Sequence, residues 1–249
     1  MASYKVEAVV LKTYDLGEAD KILVLFTRES GRVSAVAKGS RKPKSKSAGG
    51  AQAFGHNVYL LHKGRNLDIV AQYEIVRQYR QIRGDLDRLA YASYAADLVF
   101  HTSHERDPAP EVFDLLVWIL DTIEGGRNPE VAAHVFELRL MESLGYRPQL
   151  GRCVICGREV SGPARFSSEA GGMLCANCRQ GAAGARQVSE GTLRSLRLLQ
   201  DSDDAGWQSL GLAGEVLREV RAVLDDYITY RLEKRPASLE FLRSLNESK

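Results

Sequence analysis

Long apolar runs are absent from this chain, and no cysteine occurs beyond four. A helix that crosses a bilayer needs about eighteen or more consecutive apolar residues. No stretch approaches that, so no membrane span is expected. The first residues, Met1-Ala2-Ser3-Tyr4-Lys5, lack the apolar core of a secretory signal, and a cytoplasmic location is expected. Also missing are a phosphate-cradling P-loop, a G-x-S-x-G elbow and an H-E-x-x-H helix. His101 and His104 stand three apart but have no companion ligand motif, and acidic residues are scattered. These absences favour a binding protein over an enzyme.

The four cysteines that are there form two identical clips, Cys153-x-x-Cys156 and Cys175-x-x-Cys178, with eighteen residues between them. A two-residue spacer lets both thiolates of a clip reach one ion, and two clips complete a tetrahedron around Zn²⁺. Four thiolates leave no open position for water or substrate, so the expected cofactor is one structural zinc per chain. A redox or disulfide arrangement and vestigial cysteines are the alternatives. Gly157 and Gly171-Gly172 suit knuckle-like turns, and Arg152, Arg158 and Arg179 favour thiolate over thiol. The formal net charge of +2 becomes roughly zero once a zinc tetrathiolate is counted.

Charge is unevenly spread. Residues 1–80 hold fourteen Lys and Arg against seven Asp and Glu, which leaves twenty against twenty-five for 81–249. A basic first third on an acidic platform suggests a module for polyanions. Residues 3–80 read as five β-branched segments: Tyr4 to Lys12, Lys21 to Thr27, Arg32 to Lys38, Asn57 to His62 and Leu67 to Tyr79. Five strands in about eighty residues suggest a small closed barrel such as an OB-fold; an SH3-like barrel fits the period nearly as well.

From Asp85 the period lengthens to about 3.6. Leu89, Ala92, Ala96 and Val99 mark one helical face, ended by Asp107-Pro108-Ala109-Pro110. A second helix runs from about Glu111 to Glu124. The third is capped by Asn128, opened by Pro129 and closed by Gly145. Cysteines interrupt at about 150–180, and helices resume at Ser189, the longest from about Ala213 to Leu232. The expected architecture is α+β: a barrel domain at 1–80 and a helical domain at 81–249 with an embedded four-cysteine zinc module.

Lys38, Arg41, Lys42, Lys44 and Lys46 place five cations in nine residues after the third strand, among glycine, serine and proline. Such a loop can follow a phosphate backbone with little sequence selectivity. Engagement of all five on a single strand would give a log K against log salt slope of about −3.5. Arg28, Arg32, Lys63 and Arg65 extend the candidate surface. Phe54, in the loop beyond the basic run, is the preferred base-stacking residue, whereas Phe26 lies within an apolar strand and reads as core.

Several short motifs in one order resemble the bacterial recombination mediator family RecO. They are Gly17-Glu18-Ala19-Asp20-Lys21-Ile22, Leu25-Phe26-Thr27, Gly31-Arg32 and Ala37-Lys38-Gly39-Ser40-Arg41, then Phe136-Glu137-Leu138 and Leu144-Gly145-Tyr146-Arg147-Pro148. The likeness covers about 1–180; beyond that only helical character agrees. It implies an N-terminal OB-fold, a helical domain and a zinc module. It further implies binding of single- and double-stranded DNA, annealing of complementary strands, and contact with single-stranded DNA-binding protein. With the partner RecR, RecA would be loaded onto coated strands near the nucleoid. On this resemblance DNA contact falls on Lys38, Arg41, Lys42, Lys44 and Lys46, and metal on Cys153, Cys156, Cys175 and Cys178. The competing reading is a zinc-stabilised adaptor whose basic loop binds an acidic protein. A zinc-containing modifying enzyme and a transcription regulator lack a visible acid–base site and recognition helix respectively.

Overall fold

The computed structural model describes residues 2–42, 48–162, 164–178 and 184–247. The chain divides into two compact units, Met1–Gly126 and Arg127–Lys249. The change from strand to helix near residue 80 therefore precedes the compact boundary, because three helices belong to the same unit as the strands. No helix among the described residues is long and apolar enough to cross a membrane.

The first unit opens with β1 (Ser3–Leu16), β2 (Asp20–Thr27) and β3 (Gly31–Ala37), followed after a loop by β4 (His56–His62) and β5 (Asp68–Arg77). They close as a barrel in the order β1-β2-β3-β5-β4, with β4 returning to β1. Among the described barrel strands β3 and β5 alone pair in parallel, at Ala35 with Asp68 and Val36 with Ile69. This order is a Greek key, the OB arrangement, which decides against the SH3-like alternative. β1 is long enough to pair with both β2 and β4, and a register shift between Val10 and Lys12 bends it from one to the other.

Period-two alternation fills the barrel. Val6, Ala8, Val10, Leu23, Leu25, Val33, Ala35 and Ala37 point inward with Tyr59 and Leu61. The outer residues Val9, Leu11, Val24 and Phe26 are also buried. Helix α1 (Arg80–Gly84) leads into α2 (Leu86–Thr102), which lies against β1, and α3 (Pro110–Glu124) lies against β2. Phe26 meets Phe113 of α3 with ring centroids 6.2 Å apart.

Gly31, the first residue of β3, shows how closely the α2–α3 connection approaches. Its φ is +62°, and a Cβ there would stand 2.0 Å from the Asp107 carbonyl oxygen. A left-handed conformation alone costs an L-residue about 1–2 kcal/mol. Gly31→Ala is expected to lose about 3 kcal/mol or more in urea unfolding, because backbone must also move. Gly17→Ala, at φ +59° with nothing within 4 Å, serves as the control and should lose only the conformational part.

The second unit is built on α4 (Pro129–Ser143). Asn128 accepts from the N–H groups of Glu130 and Val131, and Tyr146 and Gly145 donate back to Met141 and Glu142, ending the helix as expected. Helices α5 (Glu190–Asp201), α6 (Asp204–Gln208), α7 (Gly214–Leu232) and α8 (Ala237–Glu247) follow the cysteine segment, with Ser189 capping α5. Within the segment β6 (Ala164–Ser167), β7 (Gly172–Leu174) and β8 (Arg186–Val188) form a sheet in the order β7-β6-β8. Strands of three or four residues are too short to show alternation, so sequence pattern missed them.

Most of α4 is buried, including two ionisable residues. His134 Nδ1 lies 2.8 Å from Glu137, and Arg221 of α7 bonds to Glu130. Burial opposes charge on His134, but Glu137 and Glu130 outweigh it and raise its pKa to about 9. Asp225 of α7 is pushed up to about 6 by burial and by the nearby Glu137, although Arg243 of α8 binds it at 2.9 Å. The helices of this unit are thus registered by paired charges as well as by packing.

Candidate nucleic-acid interface and metal centre

The basic loop begins where β3 ends, and the β1–β2 turn holds its start. Gly39 N–H donates to Asp20 at 2.7 Å, and Arg41 N–H to the Ala19 carbonyl at 2.9 Å. The Arg41 guanidinium donates to the Gly17 carbonyl at 2.7 Å and pairs with Asp15 at 3.2 Å. Arg41 therefore anchors the loop to the barrel. Lys38 and Lys42 are exposed and have no acidic partner among the described residues. Lys44 and Lys46 lie outside the described residues.

Lys63 and Arg65, exposed in the β4–β5 turn, also have no acidic partner among the described residues. That turn ends at Asp68, which pairs with Ala35 of β3. Both basic loops therefore adjoin the last three residues of β3. Asp68 shapes the turn: it accepts from Gly64 N–H at 3.0 Å and from Arg106 at 2.7 Å, and Tyr4 donates its hydroxyl to it. Burial works against its charge, but these donors hold the Asp68 carboxyl below the usual range.

Three expected contacts need correction. Phe54 is buried, at 4% exposure, and its N–H donates to the Val10 carbonyl at 2.8 Å. Its φ of +64° turns the ring into the protein, so it presents no face to an unpaired base. Arg28 is held by Glu7 at 3.0 Å and by Asp114, over the Phe113 ring. Arg32 donates to the Phe100 carbonyl and stacks 4.5 Å from that ring. Both arginines join barrel to helix. His101 likewise faces Asp97, at 3.5 Å, in the carboxylate that binds Lys12.

Two further lysines were missed because only strand register reveals them. Lys21 pairs with Ala37, immediately before Lys38. Lys5, exposed on β1 opposite Leu60, lies two residues along from Ser3, which pairs with His62 beside Lys63.

The four cysteines meet in the second unit. All four sulfurs lie within 4.8 Å of one another, and Cys156 Sγ stands 3.7 Å from Cys175 Sγ. A tetrahedral ion with Zn–S bonds of about 2.3 Å separates its sulfurs by about 3.8 Å. A disulfide needs about 2.0 Å, so the arrangement fits a metal. Gly157 N–H donates to the Cys153 carbonyl at 2.9 Å and Cys178 N–H to that of Cys175 at 3.1 Å, closing each knuckle. The first is tied to β7 by Val154 N–H on the Met173 carbonyl at 3.0 Å. Gly157, at φ +69°, makes the sharp exit an L side chain would resist.

The thiols sense one another. Burial disfavours the Cys153 thiolate, yet N–H groups of Cys175, Cys156 and Ile155 bring its pKa down to about 6. Cys178, sharing its proton with Cys156, is pushed up to about 12. Four sulfurs this close cannot all ionise alone; a divalent cation would let them. Arg152 and Arg158 are exposed nearby in sequence, and Arg179 lies outside the described residues.

An OB barrel with cationic loops, followed by a helical unit holding four clustered thiols, defines a class of two-part protein. Family comparison makes it specific. Residues 1–79 match the family model described as Recombination protein O N terminal, and residues 83–240 match Recombination protein O C terminal. The chain belongs to the RecO family. It is 40% identical over 253 residues to a protein of Symbiobacterium thermophilum named DNA repair protein RecO, covering 100% of both chains. A protein of the same name from Pelotomaculum thermopropionicum is 40% identical, with 97% of this chain and 94% of that one covered. Another, from Acetivibrio thermocellus, is 33% identical with 98% of each covered.

Proposed function

We propose that this chain is a DNA-repair mediator of the bacterial cytoplasm and nucleoid. It binds single- and double-stranded DNA and anneals complementary strands. With RecR it helps load RecA onto strands coated by single-stranded DNA-binding protein. The observation that carries the reading is the set of exposed cations without acidic partners among the described residues, Lys38, Lys42, Lys63 and Arg65, on two loops adjoining the end of one OB strand. The family name shared by full-length relatives supports it.

The mechanism needs no catalytic residue. Two complementary strands repel through their phosphates. Cations on flexible stems screen that repulsion without reading or covering the bases. Lys residues suit this because their charge makes point contacts that release readily. One Zn²⁺ per chain would be held by Cys153, Cys156, Cys175 and Cys178; it would fix the fold of the second unit and supply no reactive position.

The test is annealing of complementary labelled oligonucleotides coated with single-stranded DNA-binding protein. Wild type is expected to accelerate pairing in a salt-sensitive way, and a variant with Lys38, Lys42, Lys63 and Arg65 changed to Ala to lose most of it. Equal acceleration by that variant would move the DNA surface elsewhere. No acceleration by folded wild type would sink the mediator reading.

A further inference from the structure

The C-terminal end of α7 carries an arrangement that the barrel's role leaves unused. The Arg231 guanidinium lies over three tyrosine rings, 5.0 Å from the centroid of Tyr227, 5.3 Å from Tyr146 and 5.4 Å from Tyr230. Tyr227 is buried and donates its hydroxyl to the Tyr146 carbonyl at 2.7 Å, fixing the chain beyond α4 against α7. Tyr146 and Tyr230, by contrast, are 47% and 46% exposed. A Cβ on Gly171 would stand 2.8 Å from the Arg231 guanidinium, so the β6–β7 turn confines it as well. The Arg231 Nε has no hydrogen-bond partner among the described residues. Two half-open rings are therefore held in place by a cation that the packing immobilises.

Beside Tyr230 opens a hollow of about 300 Å³ whose lining includes Phe166, Arg186, Asp226 and Thr229. Phe166 offers an apolar wall, and Arg186 pairs with Asp226 through Nε at 2.9 Å. The Thr229 hydroxyl is buried without a hydrogen-bond partner among the described residues. Rings flanking a guanidinium, next to a hollow with donor and acceptor groups, suit an unpaired base. Any base has a π-face to stack, and a splayed base exposes edges that can hydrogen-bond. A duplex hides those faces.

We propose that this face of the second unit is a separate site for single-stranded nucleic acid, binding through its bases. The inference rests on reading the chain as a nucleic-acid binder. Local charge assigns it a different physics from the basic loops. Exposed Lys234 and Arg235 follow Tyr230 in sequence, but Glu233 and Glu169 are exposed there too. Net attraction for phosphate is small, so stacking must dominate and salt should matter little. One chain would then hold one strand by charge and another by its bases.

The test uses the full chain and fluorescence anisotropy with two probes, a labelled oligothymidylate and the same sugar–phosphate chain without bases. Tyr146→Ala/Tyr230→Ala is made in wild type and in a chain whose Lys38, Arg41, Lys42, Lys44 and Lys46 are Ala. The loop-neutral chain is expected to retain base-dependent binding with a shallow salt response. Adding the tyrosine pair of changes should weaken that binding roughly tenfold or more, while the corresponding Phe pair preserves it. An iodouracil probe is expected to cross-link at Tyr146 or Tyr230. Undiminished base-dependent binding by the Ala pair, with unchanged circular dichroism, overturns the second site. Failure of folded wild type to bind either probe would instead remove the nucleic-acid reading, and this site with it.

Discussion

Removing the proposed zinc with a strong chelator is expected to destabilise the Arg127–Lys249 unit by about 5 kcal/mol or more and to lower its thermal midpoint by roughly 20 °C. Structural zinc binds zinc-finger peptides with apparent free energies of about 10–16 kcal/mol. The loss here is smaller because α4, α5 and α7 keep an apolar core without it. The two tryptophans make the effect separable, since Trp207 is buried in this unit and Trp118 belongs to the other. A Trp118→Phe chain would report the second unit alone by fluorescence, with zinc measured by atomic emission. Cys156→Ser, which removes an exposed thiol of the cluster, should reproduce the chelator's effect. An unchanged midpoint in a chain purified without metal would leave the four thiols with no structural duty.

Changing Lys38, Lys42, Lys44 and Lys46 to Ala is expected to flatten the log K against log salt slope for single strands by about 2.8. Between 50 and 200 mM salt, wild type would then lose about fifty times more affinity than the variant. The sequence alone suggested a slope of about −3.5 from five cations. The structure gives one of them a competing set of partners, because Arg41 is engaged by Asp15 and the Gly17 carbonyl. Arg41→Ala by itself should barely change the slope. A full-charge decrease in that variant would show that Arg41 leaves its anchor to reach phosphate.

Short-range information carried most of what the sequence revealed. The cysteine clips needed only local spacing, and Asn128, Pro129 and Gly145 mark a helix whose ends the structure places as expected. The choice between OB and SH3-like barrels needed the order in which distant strands pair, which periodicity does not contain. Arg28 and Arg32 extend the candidate surface on sequence grounds alone, with no local sign of a partner. Their partners, Asp114 and Phe100, come from helices far along the chain. Phe54 was misplaced for a related reason: a loop position suggests exposure, but a left-handed backbone and a bond to β1 draw this one inward. Lys5 and Lys21 entered the candidate surface only once strand register was known.

The helices lying on the outside of the barrel also bear on how the chain emerges during synthesis. Its strands are complete by Arg77, but the residues that shield Val9, Leu11, Val24 and Phe26 run on to Glu124. At about 5–20 residues per second, the nascent barrel would carry an uncovered apolar flank for roughly 2–9 s before α3 leaves the ribosome. That interval is when the protein is most open to capture by chaperones or by another nascent copy. The Asp107-Pro108-Ala109-Pro110 connection, by stiffening the path between α2 and α3, narrows the search that ends it.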